Sequence, residues 1–451
     1  MKKLILCFLL MIFLITVAVS CGVAPTTTEA PDTTAVADGT TTDAPVTTEA
    51  PDSDQTYSQG LCYRLSAFQD SYVVVGMGDC TDADLVIPPV HDGMPVTEIE
   101  DDAHLGGKQV RSITIPDSVT VIGYRAFTSG PELESITVGK NNSVCYVEGN
   151  CLIAKESKAL LLGCKNSVIP SDVTLICEFA FENAVGLTEI TVPEGVTEIE
   201  TAAFRGCSTL AKIVIPNGVT RIGEQAFVDC TALVTVTLPD SLEGIGVSAF
   251  FGCTSLTGVY ITDLAAWCNI EFIDGPSNPL RYAHKLYLDG EAVTDLVIPE
   301  GVETVGTCAF IGFTDLVSVT LPNSLKAIGP SAFYDCENLT AVQIPDNVTE
   351  ISGSAFYRCK SLQSVTLGKD LVRIGRTAFY HCTSLSEILI PEGVTIIEGY
   401  AFEGCSNLTS LTFTGTKSEW GAINKDYNWK QNASINQVIC QDGTLTGDEM
   451  G

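Results

Sequence analysis

A phenylalanine returns every 23 residues along most of this chain, and a fixed step of that size narrows the available folds more than any motif does. Phe181, Phe204, Phe227 and Phe250 keep the step; after an interruption, Phe310, Phe333, Phe356, Phe379 and Phe402 resume it. Each follows an alanine, and most are followed three residues later by cysteine. Self-similarity at such a period marks a stack of like supersecondary units, each covering the apolar face of the next.

The segment Leu233 to Cys253, LVTVTLPDSLEGIGVSAFFGC, serves as the type unit. Leu233, Val236 and Leu238 alternate with Thr235 and Thr237, which reads as a strand with one face buried. Pro239 stops it, because proline cannot donate to a ladder. Leu242 and Ile245 form a second short inward stripe, Gly246 marks a bend, and Ala249, Phe250 and Cys253 share one side of a short helical turn. The strand-ending prolines recur at 116, 170, 193, 216, 239, 299, 322, 345 and 391, with Gly368 the one substitution. The expected fold is a repeat solenoid, β-rich with short helical turns, on a parallel strand ladder. One coil buries too little to stand alone, whereas a stack of ten or eleven buries enough.

The leucine, the apolar-proline step, the Val-x-x-Ile stripe and the Ala-Phe-x-x-Cys close occur together from about Leu85 to Leu411. The pattern resembles the leucine-rich repeat family of the BspA type, found on bacterial surface proteins and in some parasitic protists. That resemblance implies a surface role in adhesion or interaction. His104 lies 23 residues before Phe127, in the phenylalanine register, and reads as a worn terminal coil.

The step breaks twice. Phe127 to Phe181 is 54 residues, and the insert near residues 140–166 reads as β-hairpin material. Phe250 to Phe310 is 60 residues, and residues 259–295 read as a short helix followed by a hairpin turning at Asp289-Gly290. Trp420 and Ile423 lie 153 residues after Trp267 and Ile270, so residues 413–451 read as a second copy of that module. Each module is expected to close a solenoid half, residues 96–258 and 296–412, with its tryptophan over the open apolar end. A ligand-stacking role for the two tryptophans is the alternative. Residues 57–95 are expected to cap the other end, with strands near Cys62–Ser66 and Tyr72–Val75.

Residues 1–20 read as a signal peptide: Lys2 and Lys3 precede an apolar run from Leu4 to Val19. Ala18-Val19-Ser20-Cys21 resembles the lipobox of bacterial lipoproteins, which implies that Cys21 receives a diacylglyceryl group and becomes the mature N-terminus. Ordinary secretion with cleavage nearby is the alternative. Residues 21–56 hold Thr, Ala, Pro, Asp and Glu with no Lys or Arg, the composition of a disordered stalk. The expected site is therefore the bacterial cell surface, with the N-terminal lipid as sole membrane attachment. A net charge of −31 argues against nucleic acid and against basic-patch binding to anionic lipid.

Eighteen cysteines in an exported chain would ordinarily suggest disulfides. Cys207, Cys230 and Cys253, and again Cys336, Cys359, Cys382 and Cys405, keep the 23-residue step instead. They must stack with parallel Cα–Cβ vectors about 4.8 Å apart, a geometry unsuited to bridging. They read as small core residues, and no pair has metal-site spacing. Off the ladder, Cys62 with Cys80 and Cys145 with Cys151 are candidate bridges.

Catalytic signals are weak. Gly76-Met77-Gly78 lacks a third glycine, and the carboxylate pairs Asp82/Asp84 and Asp101/Asp102 sit in turns. His381 beside Cys382 loses its appeal because the cysteine is a ladder position. Neither enzyme activity, metal nor cofactor is expected.

The outward strand positions remain, and they form columns of short hydroxyl side chains. The candidate binding surface is Glu189, Lys212, Thr237, Tyr260, Thr320, Gln343, Thr366, Leu389 and Thr412. Its expected partner is a protein or glycan on host, matrix or neighbouring cells. An envelope scaffold without its own ligand, or a hydrolase with its site in the inserts, are the other readings.

Overall fold

The computed structural model of the protein describes residues 56–451. The expected signal peptide, the expected lipidation site Cys21 and all of the expected stalk but Thr56 lie outside the described residues. The chain divides into two compact units after Cys164.

In the first unit, Cys62–Leu65 and Tyr72–Gly76, close to the two strands read from the sequence, pair antiparallel. Met94–Ile99 runs parallel to its second strand and leads into the coils, pairing with Val121–Ile122. Asp84–Val86, Ser112–Ile115 and Ser135–Val138 make a parallel ladder, and Leu105–Gly106 pairs with Phe127–Thr128. That last pairing corrects the reading of His104. Leu105 stands opposite Phe127 and is fully buried, whereas His104 takes a left-handed φ of 46° and lies 3.8 Å from Asp102. The first coil is one residue short because an apolar side chain claims the inward slot.

The insert is a meander of Cys145–Glu148, Cys151–Ala154 and Ala159–Leu162. Neither candidate bridge forms, since Cys62, Cys80 and Cys145 keep free thiols. Cys145 stands opposite Ala154 while Cys151 stands opposite Glu148, so the register holds the two cysteines at opposite ends of the strand pair. Cys62 faces solvent while Cys80 faces the core.

The second unit is a β-solenoid of mostly parallel strands. On one side run Glu189–Thr191, Lys212–Val214, Thr235–Thr237, Gly258–Ile261 and Leu286–Leu288, all parallel, closed by the antiparallel Glu291–Ala292. A second sheet on the same side runs from Asp295–Val297 to Gln437–Cys440 and is closed by Gly443–Thr446. The two-residue inward stripes form ladders of their own, such as Leu175–Ile176, Glu198–Ile199 and Arg221–Ile222. Between consecutive coils the pairing keeps the 23-residue step, so Ile190 meets Ile213 and Ile199 meets Ile222.

The third side carries the Ala-Phe-x-x-Cys close. Its turns are chained i to i+3: Arg205 N–H donates to the Ala202 carbonyl, and Cys207 N–H to that of Phe204. The residues two before and two after the phenylalanine are left-handed, as at Ala202 and Gly206. This alternation turns N–H groups toward the following coil, where Ala202, Phe204 and Gly206 donate to Glu224, Ala226 and Val228. Backbone donors on all three sides are thereby used between coils.

The phenylalanines stack face to face inside, with centroids 5.1 Å apart from Phe181 to Phe204 and 5.5 Å from Phe379 to Phe402. Each ladder cysteine donates its S–H to the phenylalanine carbonyl of the coil before: Cys207 to Phe181 at 3.1 Å, Cys359 to Phe333 at 3.2 Å. Burial lifts the Cys207 and Cys405 thiols to about 12 and Cys359 well above its ordinary range. They stay protonated and unreactive.

A helix followed by a hairpin occurs within residues 259–295 and again within residues 413–451. Leu264–Asn269 is capped by Asp263, and Asp289 and Gly290, both left-handed, make the two-residue turn of the following hairpin. Lys417–Ala422 is its counterpart, with the second hairpin turning one residue earlier than the copy implies, at Gln441-Asp442. Trp267 is buried and donates Nε1–H to the Ala309 carbonyl, while Trp420 donates to that of Met450. Both indoles are thus covered by protein, which leaves no stacking platform.

Candidate binding surfaces

Strand pairing groups the sequence-derived candidates into two sheets of the second unit. In the first, Glu189 stands opposite Lys212 in one column, while Thr191, Val214, Thr237 and Tyr260 form the neighbouring one. Tyr260 gains a neighbour that the 23-residue step could not reveal: Tyr287, in the module, stacks on it at 4.4 Å with planes 5° apart. Gly258 makes this possible, because a Cβ there would lie 3.0 Å from the Tyr287 ring.

In the second sheet, Thr366, Leu389, Thr412 and Ile439 are consecutive neighbours, with Gln343 opposite Thr366 and Thr320 on the strand before. Ser364, Thr366, Glu387, Leu389, Ser410 and Thr412 line a shallow open groove of about 340 Å³. It has hydroxyls on its walls, one carboxylate and the half-exposed Leu389. The face is less uniformly polar than its threonines suggest, since Val297 is 65% exposed at its start and Ile439 40% at its end.

Charged side chains elsewhere are matched coil to coil. Lys326 meets Glu303 at 2.7 Å, Lys360 meets Glu337 at 2.6 Å, and Lys369 meets Asp346 at 2.7 Å, each exactly one step back in sequence. Exposed pairs of this kind contribute little individually. They do place many of the described cations beside an acid.

His381 and Cys382 point apart as expected: the thiol is buried against the Phe356 carbonyl, while the imidazole packs on Tyr380 at 4.4 Å. Among the described residues, no three His, Cys, Asp or Glu side chains gather as a metal ion would require. No helix among them is long and apolar enough to cross a membrane.

The sequence reading passed over the turn side. Tyr334, Tyr357 and Tyr380 stack there at 4.4 and 4.5 Å with planes 4° and 6° apart. Arg376 lies over the Tyr400 ring at 5.4 Å. The signal was present, because these tyrosines follow the phenylalanines and keep their step.

A family model for the BspA type leucine rich repeat region matches residues 91–158, 160–274 and 283–409, in six copies. Among solved structures, a leucine rich cell surface protein from Faecalibacterium prausnitzii A2-165 is 27% identical, with a TM-score of 0.51, over 83% of this chain and 99% of that one. A leucine-rich repeat protein from Bacteroides ovatus ATCC 8483 is 27% identical, with a TM-score of 0.48, over 81% and 91%. The pneumococcal vaccine antigen PcpA shares the fold at 20% identity and a TM-score of 0.50, over 86% and 98%. Among curated proteins, none matches the chain.

Proposed function

The chain belongs to the BspA type leucine-rich repeat family, and from that premise we propose that it is a lipid-anchored binding protein of the bacterial cell surface. The observation that carries the reading is the groove on the second sheet, where Thr366, Leu389 and Thr412 combine hydroxyls with an exposed apolar side chain on a rigid ladder. A flat ladder face of this kind, with an apolar side chain among hydrogen-bonding groups, is the extended type of surface that solenoids use for binding. The partner is a protein or glycan on host, matrix or neighbouring cells. Anchoring through Cys21 and a stalk over residues 21–56 would hold this face away from the membrane. Likeness to a protein called a cell surface protein supports the location.

Two substitutions test the reading. Leu389→Asp lies on an exposed strand position and leaves the core untouched, so it should fold normally while losing binding to matrix proteins and to whole cells. Retained binding would remove this face from consideration. Cys21→Ala should move the protein from the membrane fraction to the soluble one. A parent that carries no lipid by mass spectrometry would refute the anchor.

A further inference from the structure

The same five residues, Asp-Leu-Val-Ile-Pro, occur at 84–88 in the first unit and at 295–299 in the second. Both copies form the end strand of a parallel ladder. Their hydrogen bonds match as well. Ser112 N–H donates to the Ala83 carbonyl and Ile87 N–H to that of Thr114; in the second unit Ser318 donates to Thr294 and Ile298 to Thr320. Alternate residues of a strand bond to opposite sides. The backbone groups of Asp84 and Val86, and of Asp295 and Val297, therefore face away from their ladders.

One of these edges is filled and the other is open. In the first unit Ser58 lies along the edge: its N–H donates to the Val86 carbonyl at 3.0 Å, and its hydroxyl accepts the Val86 N–H at 3.0 Å. Val86 is half-buried as a result. Among the described residues, no strand and no side chain takes up the same groups of Asp295 and Val297, and Val297 is 65% exposed.

The charge around the open edge is of one sign. Asp289 and Glu291 stand exposed on the hairpin that precedes it. Asp295 stands on the edge itself, where it accepts the Ser318 and Thr294 hydroxyls. Neighbouring cations are engaged elsewhere: Lys285 meets Asp315 at 3.3 Å and Lys326 meets Glu303 at 2.7 Å.

We propose that the Asp295–Val297 edge receives an extended cationic peptide of a partner protein by strand addition. Asp295 and Val297 supply the backbone pairing, as Val86 does for Ser58, and the peptide's side chains meet Val297 and the three carboxylates. A second copy of this chain fits less well, because two such edges would set Asp289, Glu291 and Asp295 of one against those of the other. Residues 21–56, which hold acids and no Lys or Arg, meet the same repulsion. The edge shares no residue with the groove of Thr366, Leu389 and Thr412, and the inference does not depend on that groove.

The test is fluorescence anisotropy of labelled peptides with the full chain at physiological salt. One peptide alternates lysine and valine, a second alternates glutamate and valine, and a third is the lysine–valine sequence N-methylated at alternate amides. The first should bind saturably, and the other two should not. Val297→Pro deletes the edge N–H and leaves the Leu296 and Ile298 donors to the ladder, so it should weaken lysine–valine binding about tenfold. Glu291→Lys, on the exposed hairpin, should weaken it about threefold and keeps the result readable if the proline variant fails to fold. Leu389→Asp should bind like the parent; loss of binding there would move the peptide to the groove and overturn the proposal. No binding of the lysine–valine peptide, equal binding of either control peptide, or unchanged affinity in a folded Val297→Pro would each overturn it too. So would a dimer of the parent, seen by sedimentation, that Val297→Pro dissolves, because the edge would then belong to a second copy.

Discussion

The coils from Phe181 to Phe250 and those from Phe310 to Phe402 are alike inside and different outside. Their phenylalanines stack at 5.1–5.3 Å in the first run and 5.3–5.5 Å in the second. Their cysteines donate to the same carbonyl at 3.1–3.2 Å in both. On the turn side, Glu182, Arg205, Val228 and Phe251 give way to Ile311, three stacked tyrosines and Glu403. An inward position is fixed by the volume of the coil and the neighbour one step away. An outward position is not, so the two runs are free to differ there, and the second run uses that freedom for a stack of its own.

The broadest way to break this comparison is to delete the shared interior. Phe204→Ala and Phe356→Ala each remove a fully buried ring stacked on both faces, and each should cost about 3–5 kcal/mol in urea unfolding. Comparable losses would support equivalent interiors. A loss below about 1 kcal/mol at either site would mean that its coil does not contribute to the cooperative core.

The thiols sharpen the comparison at smaller amplitude. Burial holds Cys207, Cys253 and Cys405 near 12 and Cys230, Cys359 and Cys382 well above the ordinary range. Ladder thiols of both runs should therefore resist a thiol-specific reagent in native buffer and all react in denaturant. Mapping that found a bond such as Cys336 to Cys359, or fast native labelling in one run only, would show that the interiors differ after all.

Much of this was legible in advance, for a physical reason. Phe, Cys, Pro and the Ile stripe face inward, where stacking repeats the same demand at every step, so their spacing reports the fold directly. Asp289-Gly290 named its turn because two consecutive left-handed residues nearly require such a pair. The register slip at His104 was hidden, since a 23-residue count cannot see that Leu105 is the better core residue. Tyr287 escaped because it lies 27 residues after Tyr260, across the module. The left-handed φ at Arg358 was invisible too, because arginine gives no sign of it, whereas glycine, asparagine and aspartate do at the same position of other coils.

The smallest expected effect concerns the carboxylate at the bend before the turn side. In the second run this is Glu398, which accepts the Arg376 N–H at 2.8 Å and pairs with the Arg373 guanidinium. In the first it is Glu200, which accepts the Glu178 N–H at 3.0 Å. Burial lifts the Glu200 carboxyl to about 7, with Glu178 and Glu198 pushing the same way against that hydrogen bond. An unfolded glutamate titrates near 4.3, roughly, so the folded state binds this proton more tightly. The stability that proton binding adds is fully present below the unfolded value and is lost as pH rises through about 7. Glu200→Gln keeps an acceptor for the Glu178 N–H but cannot ionise. It should match the parent near pH 4 and become more stable than the parent as the pH is raised to 8, followed by thermal melting across that range. The group is partly exposed, so the gain should be modest. A variant less stable than the parent at pH 8 would show that Glu200 is held there as a charge, in the manner of Glu398, and that the two runs share their bends as well as their cores.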